Sequence, residues 1–241
     1  LENLPKRIIS LVPSQTELFF YLGLHKEVIG ITKFCIHPAD WLQSKVKVGG
    51  TKQLKVDLIQ SLQPDLVIAN KEENVKEQVE AIEKFSPVWI SDVSTINEAF
   101  EMMKCIGSIT GKEEKANLLV EEIQKSFLPA SVTNKIKAAY LIWRNPYMTV
   151  GGDTFINDIM QMAGFENAFG HQKRYPEVTI NDLKETGCKV ILLSSEPYPF
   201  QQKHITELQQ QLPHAKIVLA DGEMFSWYGS RLIYLHDYLV S

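Results

Sequence analysis

The feature that most constrains this chain is a recurring order: a short apolar run rich in β-branched residues, a loop, a helical stretch, then another such run. Arg7–Val12 is the first run, and Pro13 follows it. Ser14-Gln15-Thr16-Glu17 has the pattern of a capping box opening a helix over Thr16–Leu22. Gly23 stops that helix, and Val28–Thr32 reads as the next strand. Strand, helix, strand is a βαβ unit, and such units feed a parallel sheet. The rhythm continues with a helix over Leu58–Leu62 ended by Pro64, a buried strand over Leu66–Ala69, an amphipathic helix over Val75–Lys84 and a short strand over Val88–Ile90.

From Thr95 to about Phe127 the pattern is helical without a strand. Thr95-Ile96-Asn97-Glu98 is a further capping box, and Gly111 marks a break. Beyond it Ala116, Leu119, Val120, Ile123 and Phe127 form one apolar stripe on a helix over Lys112–Phe127. After Pro129 and a polar stretch to Lys137 the strands return. Strands are expected over Ala138–Trp143, Val190–Leu193 and Ile217–Leu219. Helices are expected over Phe155–Ala163, Ile180–Glu185 behind a Thr179–Asp182 box, Ile205–Gln211 and Ser230–Val240. The pattern is therefore two α/β halves separated by a helix-only segment, and 241 residues suffice for two cores of roughly 110 residues each. One continuous doubly wound domain with a helical insertion is the alternative.

Composition excludes several function classes. Net charge is −4, so no global basic field points to nucleic acid or an anionic membrane surface. Lysines such as Lys45 and Lys47, or Lys71 and Lys76, sit among carboxylates and read as solvated faces. Cys35, Cys105 and Cys188 match neither a zinc spacing nor CxxC, and are no disulfide framework. No apolar run approaches the ~20 residues of a membrane span, and no signal peptide is visible.

In open parallel sheets ligands bind beyond the carboxyl ends of the strands, so the residues after each strand are the candidates. They include Gln15, His37, Asn70, Arg144 and Glu196, with Trp143 closing its own strand, and after the last strand Glu223, Phe225, Trp227, Tyr228 and Arg231. Several aromatics in one Gly-containing segment suit a binding surface. The opposing reading is that Phe225 and Trp227 plug an apolar seam. Cys35 and His37 suggest a metal or nucleophile pair, but such sites draw ligands from further elements. Glu72 and Glu73 read as carboxylates at a helix N-terminus, where the dipole favours them. Gly49-Gly50 and Gly151-Gly152 lack phosphate-loop spacing and read as turns. No GxSxG, HExxH or other catalytic constellation is found, so the chain is read as a non-enzyme.

The stretch Arg7-Ile8-Ile9-Ser10-Leu11-Val12-Pro13-Ser14-Gln15-Thr16-Glu17-Leu18 resembles the opening of helical-backbone substrate-binding proteins, the cobalamin, haem and iron-siderophore receptors of ABC importers. Leu62-Gln63-Pro64-Asp65-Leu66-Val67-Ile68-Ala69 is similar to that family's LKPDLVI strand. Thr149-Val150-Gly151-Gly152-Asp153-Thr154, followed by Ala163-Gly164-Phe165-Glu166-Asn167, is similar to its C-lobe pattern. The match runs nearly end to end and is closest in flavour to the cobalamin-binding protein.

This resemblance implies an α/β fold of two lobes, each a mostly parallel sheet with flanking helices, bridged by one long helix. The N-terminal lobe is then 1–111, the linking helix 112–133 and the C-terminal lobe 134–241. It implies a cleft lined by aromatic residues of both lobes, holding cobalamin or a ferric siderophore without covalent attachment or chemistry. His37 falls where the cobalamin receptor presents a tyrosine, and Thr51 where it presents a tryptophan. The segment Phe225–Tyr228 resembles its aromatic loop. Arg144 and Arg231, if they face the ligand, favour an anionic chelate.

The implied partner is an ABC permease dimer, with no nucleic acid and no membrane span; the receptor itself is expected as a monomer. Asp57 fits the N-lobe docking carboxylate and Glu223 its C-lobe counterpart, with Ser226 the other register. A periplasmic or cell-envelope location follows by resemblance, while a cytoplasmic one stays open. The rival is an intracellular enzyme or chaperone that handles a metal cofactor through Cys35 and His37 on the same scaffold.

Overall fold

The computed structural model describes residues 3–126 and 135–240. These fall into two compact units. The first holds the described residues up to Val93 together with Asn97–Ser126 and Tyr228–Ile233. The second holds Ser94–Ile96, the described residues from 135 to Trp227, and those from Tyr234 onward.

In the first unit the order is β1 (Ile8–Ser10), α1 (Pro13–Leu22), β2 (Val28–Ile31), α2 (Ala39–Ser44), β3 (Val46–Lys47), β4 (Gly49–Gly50), β5 (Gln53–Leu54), α3 (Val56–Ser61), β6 (Leu66–Asn70), α4 (Lys76–Glu83), β7 (Val88–Ser91), α5 (Ile96–Ile109) and α6 (Glu113–Ser126). Five strands form a sheet in the order β3-β2-β1-β6-β7, every pairing parallel. β1 and β6 lie inside it, and both are buried throughout, as a strand covered on two faces must be. Ile9, Leu11, Val67 and Ala69 pack with Ile59 of α3 and with Val79 and Ile82 of α4 in one core.

The second unit contains β8 (Ile136–Trp143), β9 (Tyr147–Thr149), α7 (Phe155–Met162), β10 (Phe165–Asn167), β11 (Glu177–Val178), α8 (Ile180–Thr186), β12 (Val190–Ser194), α9 (Gln202–Gln211), β13 (Lys216–Ala220) and α10 (Gly222–Ser226). A 3-10 turn over Ser230–Tyr234, which begins in the part returning to the first unit, leads into α11 (Leu235–Val240). The sheet order is β11-β9-β8-β12-β13, with β10 also on β8. β8, β12, β13 and β10 run parallel, while β9 and β11 are antiparallel additions. Ala139, Leu141, Ile191 and Leu193 face Leu183 of α8 and Leu208 of α9 in the core.

The α/β class and the two mostly parallel sheets are those expected. Several local readings change. α1 begins at Pro13, not Thr16, and Val12 caps it without a side-chain bond. Proline at the first helical position has no N–H to satisfy and a φ already helical, so the start moves forward. The Thr16 hydroxyl instead bonds back to Val12 O at 2.9 Å. Gly49-Gly50 is a strand of a two-residue-wide hairpin with Gln53-Leu54 rather than a turn. Gly49 has φ +114°, and a Cβ there would stand 2.3 Å from Gln53 O, so only glycine permits this approach. Glu72 and Glu73 precede α4 by a loop; their N–H groups are taken by Asn70 Oδ1 at 2.8 and 3.0 Å. The aromatic segment after β13 starts as a helix, not a loop, because Asp221 Oδ1 caps the Glu223 N–H. The expected closing helix splits into the 3-10 turn and α11. The Thr179–Asp182 box forms as read, with bonds in both directions. Residues 127–133 of the linking segment lie outside the described residues, and α6 groups with the first unit.

Glycine spacing yields a test. A Cβ on Gly152 would meet Gly170 O at 2.2 Å, whereas one on Gly187 meets nothing within 4 Å but sits at φ +63°. Gly152→Ala is expected to cost ~1–3 kcal/mol through overpacking against backbone. Gly187→Ala is expected to cost ~1 kcal/mol from the left-handed φ alone. Urea denaturation of the two variants should rank them in that order.

Candidate ligand-binding site

The candidate residues of the first unit gather at the carboxyl ends of β1, β2 and β6, but most of their polar atoms are already engaged. Asn70 is buried at the end of β6. Its Nδ2 donates to Ser91 O and Oγ, both at 3.1 Å, and its N–H donates to Asn74 Oδ1 at 2.8 Å. Together with the two bonds to Oδ1, Asn70 is a hub of the β6–α4 turn. Gln15 is fully buried, and its Nε2 donates to Ser91 Oγ. Its Oε1 is buried without a hydrogen-bond partner, as are the hydroxyls of Ser14 and Ser230. Thr51 sits half-buried at the hairpin tip, its carbonyl accepting from Asn74 Nδ2 at 3.1 Å. His37 is half-buried in the β2–α2 loop. Tyr228 is buried.

Arg231 forms a fork-to-fork pair with Glu17 of α1: Nε to Oε2 at 3.0 Å and Nη2 to Oε1 at 2.7 Å. Both side chains are largely buried, at 11% and 18% exposure. This pair fixes Tyr228–Ile233 to α1, where Gly229 lets the backbone pass close to Ser14 O. A guanidinium so matched is committed to the fold rather than offered to an anion.

The same loop region exposes two apolar side chains that follow the expected strand Val28–Thr32 but are not among the selected candidates. Phe34 is 50% exposed and Ile36 is 42% exposed. The Phe34 ring lies against Gly50, where a Cβ would come within 3.1 Å of it, and Lys33 Nζ sits 5.0 Å over the ring. The available signal was Phe34's place directly after a strand, opposite a Gly-Gly pair.

Cys35 between them points inward. Its thiol is fully buried, 3.1 Å from Thr16 Oγ1 and 3.2 Å from Thr32 Oγ1. Burial pushes the thiol above its ordinary pKa, so the thiolate that metal binding or nucleophilic attack needs is disfavoured. Among the described residues no group of three or more His, Cys, Asp or Glu could hold a metal. Lys45 and Lys47, read as a solvated face, are also partly desolvated, which lowers both pKa values. Lys45 Nζ lies over the Trp41 ring and donates to His25 O at 2.6 Å.

In the second unit the candidates sit at the ends of β8, β12 and β13. Trp143 closes β8 and is 40% exposed. Its ring meets Tyr198 edge-on at 5.7 Å, and Tyr198 in turn meets Phe200 at 4.8 Å and His204 at 5.5 Å. Tyr198 lies in the loop after β12, among the residues that follow that strand, but is not among the selected candidates. Arg144 Nη2 pairs with Glu207 Oε2 of α9 at 2.6 Å. The neighbouring Tyr198 hydroxyl is the main cause holding the guanidinium pKa above its usual value, with burial opposing and Glu207 adding to it.

Glu196 accepts from Trp227 Nε1 at 2.8 Å and from Ser226 Oγ at 2.9 Å. Burial is the main cause raising its pKa; these two bonds oppose the rise, and nearby Glu223 and Asp221 reinforce it. Phe225 packs against Tyr140 at 5.0 Å and Tyr238 at 6.2 Å, the seam-filling alternative of the sequence reading. Trp227 is 6% exposed. Of the two carboxylates expected to meet a permease, Asp57 is exposed in the first turn of α3 and Glu223 is half-buried in α10. A pocket of about 400 Å³ between β7 and α5, lined by Ile90, Val93, Met102 and Cys105 among others, contains none of the candidate residues.

Two α/β units with candidate contacts at their strand ends describe a binding scaffold, and residues 8–216 match the family model described as periplasmic binding protein. The chain belongs to that family. It is 29% identical over 188 residues to YvrC of Bacillus subtilis, an ABC transporter substrate-binding lipoprotein, covering 73% of this chain but 59% of that protein. It is 24% identical over 195 residues to the vitamin B12-binding protein of Vibrio parahaemolyticus, covering 78% of this chain and 70% of the relative. In fold it is similar to the periplasmic vitamin B12 binding protein of Vibrio cholerae, with TM-score 0.83 at 17% identity over 98% of this chain and 95% of that one. It is equally similar to the periplasmic heme-binding protein RhuT of Roseiflexus, with TM-score 0.83 at 18% identity over 98% and 97%.

The Arg231–Glu17 pair gives a quantitative test. Arg231→Gln or Glu17→Gln alone is expected to destabilise by about 2–3 kcal/mol, since each leaves a desolvated charge behind. The double variant should lose less than the sum, which a double-mutant cycle in urea measures.

Proposed function

We propose that the chain is the substrate-binding receptor of an ABC importer for a bulky metal chelate of the cobalamin or iron-siderophore kind, and that it binds without transforming its ligand. The observation that carries this reading is an exposed aromatic side chain at the carboxyl edge of each parallel sheet. Phe34 is braced by Gly50 in one unit, and Trp143 by Tyr198 in the other. Large rings held in solvent by rigid neighbours supply apolar contact area at little entropic cost. The relatives named for vitamin B12 and heme support a chelate of that size. With Arg144 and Arg231 paired to Glu207 and Glu17, recognition rests on apolar contact more than on ion pairing.

The partner is a permease dimer, docked through the carboxylates Asp57 and Glu223, and the location is the cell envelope. The metal-handling rival through Cys35 and His37 is disfavoured by the buried, hydrogen-bonded thiol.

Thermal shift with cyanocobalamin, haemin and a ferric hydroxamate tests the proposal. A chelate at a hundred times its Kd should add about 2.7 kcal/mol to stability and raise the Tm. Trp143→Ala should weaken that binding about tenfold or more. No shift with any of the three would contradict the receptor reading.

A further inference from the structure

His204 lies in the third position of α9, 3% exposed, against the rings of Tyr198 and Phe200. Its two ring nitrogens have different neighbours. Nδ1 accepts the backbone N–H of Gln201, the residue that caps α9, at 2.9 Å. Nε2 stands 3.3 Å from the Tyr198 hydroxyl. An imidazole nitrogen that accepts an N–H carries no proton, so neutral His204 must hold its single proton on Nε2 and donate it to Tyr198. One tautomer therefore satisfies both contacts, and it joins the start of α9 to the ring that supports Trp143.

We propose that His204 is a positioning residue of the second unit's ligand-contacting wall, and that its protonation dismantles the wall and releases ligand at acid pH. The ligand clause rests on the receptor reading above; the structural clause does not. A second proton would go to Nδ1, setting two N–H donors against each other across the 2.9 Å contact with Gln201. The α9 cap is then lost, and Tyr198 loses the neighbour that fixes it beside Trp143.

The charged and titratable groups around the ring are Arg144 from the end of β8, Tyr198 from the β12–α9 loop, and Lys203 and Glu207 from α9. Burial is the first cause lowering the His204 pKa; Arg144 and Lys203 act in the same direction and Glu207 against them. A depressed folded value means the unfolded chain takes the proton first. The stabilisation is complete above the ordinary imidazole value of ~6.5 and is lost as pH falls from there through the lower folded value.

The test has a ligand-free arm and a ligand arm. Imidazole ¹⁵N NMR at pH 7.5 should show Nε2 protonated and Nδ1 bare. Between pH 7.5 and 5.5 the wild-type Tm should fall about 2–4 °C more than that of His204→Gln, which keeps an acceptor at the cap but cannot titrate. The opposite tautomer, or equal pH responses, would overturn the proposal; if His204→Gln does not fold, the NMR result decides alone. In the ligand arm, Kd for cyanocobalamin and for haemin is read from quenching of tryptophan fluorescence. Because binding reports the folded protein, Kd should hold until pH falls through the lower folded value and then weaken by up to about tenfold per pH unit, the limit for one proton, in a series carried to about pH 4.5, and that of His204→Gln should not weaken. A flat wild-type Kd overturns acid release. If neither chelate binds at any pH, the receptor reading fails, while the ligand-free arm still decides the role of His204.

Discussion

Parallel pairing governs what this chain can do. Each of β1, β2, β6 and β7 must return through a crossover before it can pair again, and the crossing segments cover the sheet. The interior strands are apolar and sealed, so polar and aromatic side chains with a task collect where strands end. Ser10, Gln15, Asn70 and Ser91 occupy those ends in the first unit. Trp143, Ser194 and Glu196 do so in the second. A surface formed this way is shaped by backbone hydrogen bonds and needs no flexible loop to hold it.

The arginines at the strand ends are paired within each unit. Arg231 is matched by Glu17 and Arg144 by Glu207, while the Asn70 amide saturates a turn. What remains outward is chiefly ring and aliphatic surface: Phe34, Ile36 and Trp143. Under the receptor proposal, exposed patches of this kind, one in each unit, suit a large ligand with delocalised or shielded charge better than a compact anion.

The fold was largely legible because βαβ periodicity is a backbone-level signal: β1, β2, β6, β8, β12 and β13 all lie where apolar runs predict them. The site was less so. Position at a strand end picks out Trp143, which is exposed, but it says nothing of side-chain direction. Asn70 and Arg231 have ideal chemistry for a ligand, yet their partners Ser91 and Glu17 are 21 and 214 residues away in sequence. The aromatic density around Phe225 reads as a surface until Tyr140 and Tyr238 are seen beneath it. Phe34 was hidden for the converse reason, since its exposure depends on a hairpin that a Gly-Gly pair does not announce.

The central claim is that a bulky chelate is held by apolar surface and not by free arginines. The salt dependence of its affinity tests this most directly, by titrating the chelate that gives the largest thermal shift at ~50 mM and at ~500 mM salt. The account predicts a Kd that changes less than about threefold, because Arg144 and Arg231 are already paired with Glu207 and Glu17 and Lys33 lies over the Phe34 ring. A Kd weakened about tenfold or more by salt, or no measurable binding at either concentration, would contradict it.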